Sequence, residues 1–357
     1  MINFTVGPVQ SPKSVREIAH RQVPYFRNNS FSQVMWENAK LIKNFAKASE
    51  KDKAIFMTGS GTLSMEATII NIFNEHDKVI IVNGGSFGQR FVDICNIHNI
   101  VNEQIKLENG HTITEKDLEK VSVVGCTGFV VNMHETSTGV LYDMKLISEF
   151  CRKNNLLLIV DSISSFLADE IDFKELNIDA LIIGSQKSLA CDPGVSIIIL
   201  SERAINIINS NKTTNYYMNL KAALKDAERG QTPFTPAVSI LLEINQRLKD
   251  IESNGGVENQ IAMTKQLADY FRKKISSLNL KIYSDKLSNA VTPIIAPKNN
   301  AHEIFEILEK EYNIWICPNG GELRDKIFRV GHIGDLTIQE YDKLLVAFED
   351  LRKRNIL

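Results

Sequence analysis

Lys187 and Asp161 are the two residues whose types and placement could do covalent chemistry. Lys187 follows the apolar run 180–183 through Gly184-Ser185-Gln186, and it lies 26 residues after Asp161, which ends the apolar run 156–160. A lysine amine at the exit of a buried strand can attack an aldehyde when burial and nearby positive charge keep it partly uncharged. A carboxylate delivered from a second buried strand needs a cationic partner, because an unpaired buried charge is costly. A protonated pyridine nitrogen is such a partner, and a lysine paired with an aspartate in this way is what pyridoxal phosphate chemistry requires. Either residue alone also has a plainer reading, a solvated lysine or a helix-capping aspartate.

Three turns and one arginine extend the set. Thr58-Gly59-Ser60-Gly61-Thr62 follows an apolar run and opens a helical one. Ser60, Gly61 and Thr62 thereby offer N–H groups and hydroxyls at the positive end of a helix dipole, a cradle for phosphate, although a tight connection has the same composition. In Asn83-Gly84-Gly85-Ser86-Phe87-Gly88-Gln89-Arg90, the Phe87 ring could lie against a planar cofactor or pack in the core. Asn132-Met133-His134-Glu135-Thr136-Ser137-Thr138-Gly139 clusters hydroxyls suited to a phenolic oxygen, and equally to a polar turn. Arg329 sits inside the apolar stretch 327–330, where its planar fork suits either a substrate carboxylate or a structural ion pair.

Holding such residues at one edge is a task for strands that alternate with helices. Periodicity predicts helices over 34–47, 62–73, 87–98 and 144–153, and strands over 54–57, 78–82, 128–132, 156–160, 180–183 and 195–200. Wholly apolar strand centres predict an α/β fold with a mostly parallel sheet covered by helices on both faces, and ligands in such folds sit at the carboxyl ends of strands. Past Pro236 the chain predicts helices at 237–252 and 257–278, then strands at 281–284, 290–296, 313–317 and 326–330 with helices at 302–312 and 337–353. This tail reads as a smaller C-terminal α+β domain, and the polar stretch 209–219 as a loop. The expected division is an N-terminal segment 1–20 near the site, a large domain 21–236, a connecting helix 237–256 and a small domain 257–357.

Composition narrows the function classes. A chain of 357 residues favours two domains. Apolar residues at 43%, charged residues at 24% and a formal charge of −2 give no general attraction to nucleic acid. Neither a basic start followed by an apolar run nor a segment of membrane-spanning length is present, so the expected location is the cytoplasm. Five widely spaced cysteines without a Cys-x-x-Cys pair predict reduced thiols, with no disulfide framework and no metal site.

The ordered motifs Gly7-Pro8, Ser60-Gly61-Thr62, Asn83 to Arg90, Glu135 to Gly139, Val160-Asp161-Ser162, Ser185-Gln186-Lys187, Thr232-Pro233-Phe234-Thr235-Pro236-Ala237 and Arg329-Val330-Gly331 resemble the class V, fold-type-I aminotransferases, in particular their alanine-glyoxylate and serine-glyoxylate (serine-pyruvate) group. The resemblance covers residues 4 to about 350. It implies pyridoxal 5'-phosphate as cofactor and Lys187 as the residue that forms the Schiff base and carries the proton. It further implies that Asp161 holds the pyridine nitrogen, Thr136 the 3′-oxygen and Phe87 the ring face. Ser60, Gly61, Thr62 and Gln186 would hold the phosphate, Thr235 (or Thr232) would reach it from the neighbouring subunit of a homodimer, and Arg329 would bind the substrate carboxylate. The implied activity is ping-pong transfer from a small alanine- or serine-type donor to a 2-oxo acid such as pyruvate or glyoxylate. If Arg21 or Arg27 faces the pocket, 2-aminoethylphosphonate:pyruvate transamination is the alternative. A cysteine desulfurase-type lyase using Cys317, and a catalytically silent pyridoxal phosphate-binding protein, are the remaining readings.

Overall fold

The computed structural model describes residues 1–357. In chain order the elements are β1 (Ile2–Asn3), α1 (Lys13–Ala19), α2 (Asn29–Phe45), β2 (Lys53–Thr58), α3 (Gly61–Ile72), β3 (Lys78–Asn83), α4 (Ser86–Ile97), β4 (Val101–Lys106) and α5 (Glu115–Lys120). They continue with β5 (Cys126–Asn132), β6 (His134–Glu135), β7 (Val140–Leu141), α6 (Met144–Lys153), β8 (Leu157–Asp161), β9 (Ala180–Gly184), β10 (Val195–Leu200), α7 (Glu202–Ser210) and α8 (Leu220–Ala227). The remainder is α9 (Val238–Ser253), α10 (Gly256–Ser277), β11 (Val291–Ile295), α11 (Ala301–Tyr312), β12 (Ile314–Trp315), β13 (Ile327–Gly331) and α12 (Ile338–Lys353).

Seven strands form one sheet in the order β2-β10-β9-β8-β5-β3-β4. All neighbours are parallel except β10, which runs antiparallel to both β2 and β9. Because β2 and β9 both oppose β10, they point the same way. The carboxyl ends of β2, β3, β5, β8 and β9 therefore share one edge, with Asn132 level with Asp161 and Asp161 level with Ile182.

The apolar strand centres have a simple cause in this architecture. In β8 Leu158 and Val160 enter one core cluster while Leu157 and Ile159 enter the cluster on the opposite face, so both faces of the strand are buried. Helix α9 contributes Leu241, Ile244, Leu248 and Ile251 to the first of these cores. A third cluster joins α10, α11, α12, β11 and β13, and it also takes in Phe4 from the amino terminus. No helix is long and apolar enough to cross a membrane.

Departures from the sequence expectation lie at the margins. The strand expected over 281–284 reduces to a single bridge, Ile282 to Ile294. The strand expected over 313–317 divides, with β12 pairing β1 and Cys317 bridging Arg329. Helices α1, α5, α7 and α8 and the edge strand β4 were not anticipated. Strand β4 (VNEQIK) buries only Ile105, so it has no apolar run to reveal it.

Candidate active site

Chain geometry at the carboxyl edge brings together residues far apart in sequence. Lys187 leaves the turn after β9, and its Nζ donates to the carbonyl of Val6 in the amino-terminal segment. Burial lowers its pKa to about 8, a shift that Arg329 and Arg90 reinforce and Cys317 and Asp161 oppose. Asp161, at the end of β8, is buried, and burial raises its pKa to about 6. Its Oδ1 accepts the Ile163 N–H at 2.8 Å, and no lysine or arginine forms an ion pair with it.

Arg329 projects from β13 into the same space. Its Nη1 donates to the Thr136 carbonyl at 2.7 Å and its Nη2 to the Pro318 carbonyl at 2.5 Å, while the buried Nε–H has no partner. The Thr136 and Ser164 hydroxyls are hydrogen-bonded, with their oxygens 2.8 Å apart, and both residues are buried. Ser60 is the N-cap of α3 without using its side chain on the helix, so its hydroxyl is free. A β-carbon on Gly61 would lie 2.3 Å from Cδ1 of Ile163, the residue whose amide holds Asp161, so a side chain there would displace the Ile163 side chain. Gln186 lies on the turn before Lys187 with a buried, unpartnered Oε1. Thr235 lines a small pocket together with Thr58, the first residue of the cradle turn. It is exposed, in a turn where the Thr232 hydroxyl is already committed to the Phe234 carbonyl.

Residues given no role from sequence complete the arrangement. Arg90 donates to Thr62 Oγ1 at 3.0 Å and lays its guanidinium 4.7 Å from the centre of the Phe87 ring, joining the cradle to that ring. Glu135 accepts the Phe87 and Gly88 N–H groups at 3.3 and 3.0 Å, so a carboxylate from β6 caps α4 and fixes Phe87. His134 is buried against Ser164. The three-residue spacing of Phe87 and Arg90 on a helix could have signalled their contact. Glu135 and His134 carried no such sign, since their partners come from other elements. A cavity of about 660 Å³ contains none of these groups; Trp36, Lys40, Lys43, Lys53 and Lys221 are among the residues that line it.

Residues 13–322 match the family described as Aminotransferase class-V. The chain belongs to the class V aminotransferases. An uncharacterized aminotransferase of Methanocaldococcus jannaschii is 31% identical over 337 residues, covering 92% of this chain and 86% of that protein. The crystal structure of a subgroup IV aspartate aminotransferase from Thermus thermophilus superposes with a TM-score of 0.92, at 26% identity and full coverage of both chains. A bifunctional phosphonoacetaldehyde hydrolase/aminoethylphosphonate transaminase of Clostridioides difficile is 27% identical, over 99% of this chain and 56% of that protein.

This class V aminotransferase uses pyridoxal 5'-phosphate, and its residues fit that group. The Asp161 carboxylate is buried with a single N–H donor and no cation, which suits a ring N–H⁺. Lys187 is an amine of lowered pKa, and the α3 amino terminus offers the anion site.

Proposed function

We propose that this aminotransferase moves an amino group from a small alanine- or serine-type donor to a 2-oxo acid such as pyruvate or glyoxylate, one site serving both halves of a ping-pong cycle. Arg329 is the observation that carries this reading. With two N–H groups committed to carbonyls and a buried Nε–H open, it offers a fixed fork to one carboxylate. Two other arginines are already committed. Arg90 is engaged with Thr62 and Phe87, and Arg27 with the carbonyls of Thr232 and Pro233 and the Phe26 ring.

Bound pyridoxal phosphate supplies an electron sink for the bond that breaks at the donor's Cα. Lys187, as its neutral amine, takes the Cα proton and returns it, acting as base and then acid. Asp161 holds the ring nitrogen protonated, Thr136 holds the 3′-oxygen, and Phe87 covers the ring. Ser60, Gly61, Thr62 and Gln186 hold the phosphate. Thr235 completes that site from a second copy in a cytoplasmic homodimer; its exposure and the internal bond of Thr232 favour it over Thr232. Separate apolar clusters support the division into domains 21–236 and 257–357, with 1–20 passing over the site and 237–256 as the connecting helix.

The test is a panel of alanine, serine, aspartate, glutamate and 2-aminoethylphosphonate in single half-reactions followed by the cofactor spectrum. Conversion with alanine or serine at least about tenfold faster than with the other donors is expected, a gap of about 1.4 kcal/mol. Fastest conversion with 2-aminoethylphosphonate would establish the alternative, which the Clostridioides relative and the exposed Arg21 favour. Sustained sulfide release from cysteine, lost in Cys317→Ala, would establish the lyase. Against it stands the backbone of Cys317, bonded in both directions to Arg329 rather than on a free loop.

A further inference from the structure

We propose that His134 carries its proton on Nδ1 and thereby sets the direction of a hydrogen-bond chain through Ser164 that makes Thr136 a donor to the ligand oxygen it faces. This rests on the assignment of Thr136 to the 3′-oxygen of the cofactor. His134 is a positioning residue in this scheme, acting through two hydroxyls.

His134 Nδ1 lies 2.9 Å from Ser164 Oγ, which lies 2.8 Å from Thr136 Oγ1. The three residues are 2%, 5% and 3% exposed, so water does not break the chain. Each hydroxyl has one proton, and the chain can therefore run in two directions. If Nδ1 accepts, Ser164 donates to the ring and Thr136 donates to Ser164, so Thr136 shows a ligand only lone pairs. If Nδ1 donates, Ser164 passes its proton to Thr136, whose own proton is then free for a ligand oxygen. The one other acceptor near the Ser164 hydroxyl is the His134 carbonyl, at 3.5 Å, too far to compete.

The other ring nitrogen decides between them. Nε2 is buried with no partner. The first direction would bury an unpaired N–H there, the second an unpaired lone pair, and orphaned buried N–H groups are the rarer of the two kinds of defect. The charges acting on the ring are those of Lys187, Arg329 and Arg272, all positive. Burial, aided by the same cations, pushes the ring pKa down to about 3, so the doubly protonated ring is excluded. A donating Thr136 stabilises negative charge on the 3′-oxygen, and that lowers the affinity for protons of the nitrogen joined to Lys187.

The holoenzyme with ring-¹⁵N histidine tests the tautomer directly by NMR, the His134 signals being those lost in His134→Asn. One proton, on Nδ1, is expected throughout the neutral range; a proton on Nε2, or on both nitrogens, overturns the proposal. The bound-cofactor absorbance supplies a second readout. In His134→Leu the pH midpoint of the spectral transition should rise by about one unit, and His134→Asn, whose amide N–H replaces Nδ1–H, should restore it. Equal midpoints in the wild type and His134→Leu, or equal shifts in both variants, overturn it. If His134→Leu does not fold, Thr136→Val removes the terminal donor itself and should raise the midpoint in the same sense, an unchanged midpoint overturning the proposal. Failure to take up cofactor would sink the functional reading itself, while the histidine spectrum would still report the tautomer.

Discussion

A β-carbon on Gly7 would sit 2.6 Å from Cδ and 2.8 Å from Nζ of Lys187. Gly7 also has φ +122°, where side chains are strained. Gly7→Ala therefore does two different things. The backbone strain should cost about 1–3 kcal/mol, read as a drop in Tm. The clash falls on a flexible side chain that can swing away cheaply, but that side chain is the reacting amine. A displacement of about 1 Å is enough for a loss on the order of 100-fold. Half-reaction rates should therefore fall far more than stability does, and a Gly7→Ala enzyme with the wild-type rate would remove Gly7 from the site.

Lys187 is expected to show itself in pH dependence. With its pKa lowered to about 8, the amine is mostly protonated at pH 7, and capture of cofactor by the apoenzyme should speed up with pH and level off above about 8. The stability effect has a definite sign. An unfolded lysine titrates near 10.4, so between about pH 8 and 10 the unfolded chain holds the extra proton and the apoenzyme gains stability as pH rises. Lys187→Ala should abolish turnover, leave no borohydride-fixed cofactor on this peptide and flatten that part of the stability curve. Turnover by the variant would refute the assignment.

Asp161→Asn should act with opposite signs in the two forms of the enzyme. Burial lifts the carboxyl from 3.8 to about 6, so near pH 8 the folded apoenzyme carries a charge disfavoured by about 3 kcal/mol. Asparagine removes that cost while its carbonyl can still accept the Ile163 N–H. The apo variant should melt higher than wild type near pH 8, and by less near pH 5, where the folded wild-type carboxyl is already protonated. With cofactor bound the order should reverse, because the ring N–H⁺ has lost its counter-charge. An apo variant that melts lower than wild type near pH 8 would contradict the account.

Legibility in the sequence followed burial. Strands β2, β3, β5, β8, β9 and β10 were placed to within two residues because both faces are buried and their centres are wholly apolar. Strand β4, at the sheet edge, buries one residue and left no such run. The site divides in a similar way. Asp161 and Arg329 stand out in the sequence because one ends and the other lies within an apolar strand, and Lys187 because it follows another by three residues, where a polar residue needs a reason. Arg90 carries no sign of its role in the sequence, since an arginine on a helix is ordinarily a solvated one. His134 and Ser164 are 30 residues apart and meet only once β6 is set beside the turn after β8. No periodicity announces such a pairing.

Glu135 offers the most direct test of how the fold holds the Phe87 ring. Its carboxylate accepts five hydrogen bonds, from the N–H groups of Phe87, Gly88 and Ser137, from the Ser137 hydroxyl, and from Asn132 Nδ2 at 2.8 Å. Oε1 takes three of these and Oε2 two, so both oxygens act purely as acceptors. Glu135→Gln keeps the shape and turns one oxygen into a donor. Whichever way the amide lies, its NH₂ group faces at least two other donors in a buried site, and that should cost roughly 1–3 kcal/mol. The first turn of α4 loses part of its cap, and Phe87 moves with it. A lower Tm together with weaker cofactor binding is the expected result, while the exposed Glu149→Gln serves as a control that changes neither. If Glu135→Gln melts with the wild type and binds cofactor as well, the carboxylate is not what fixes this helix.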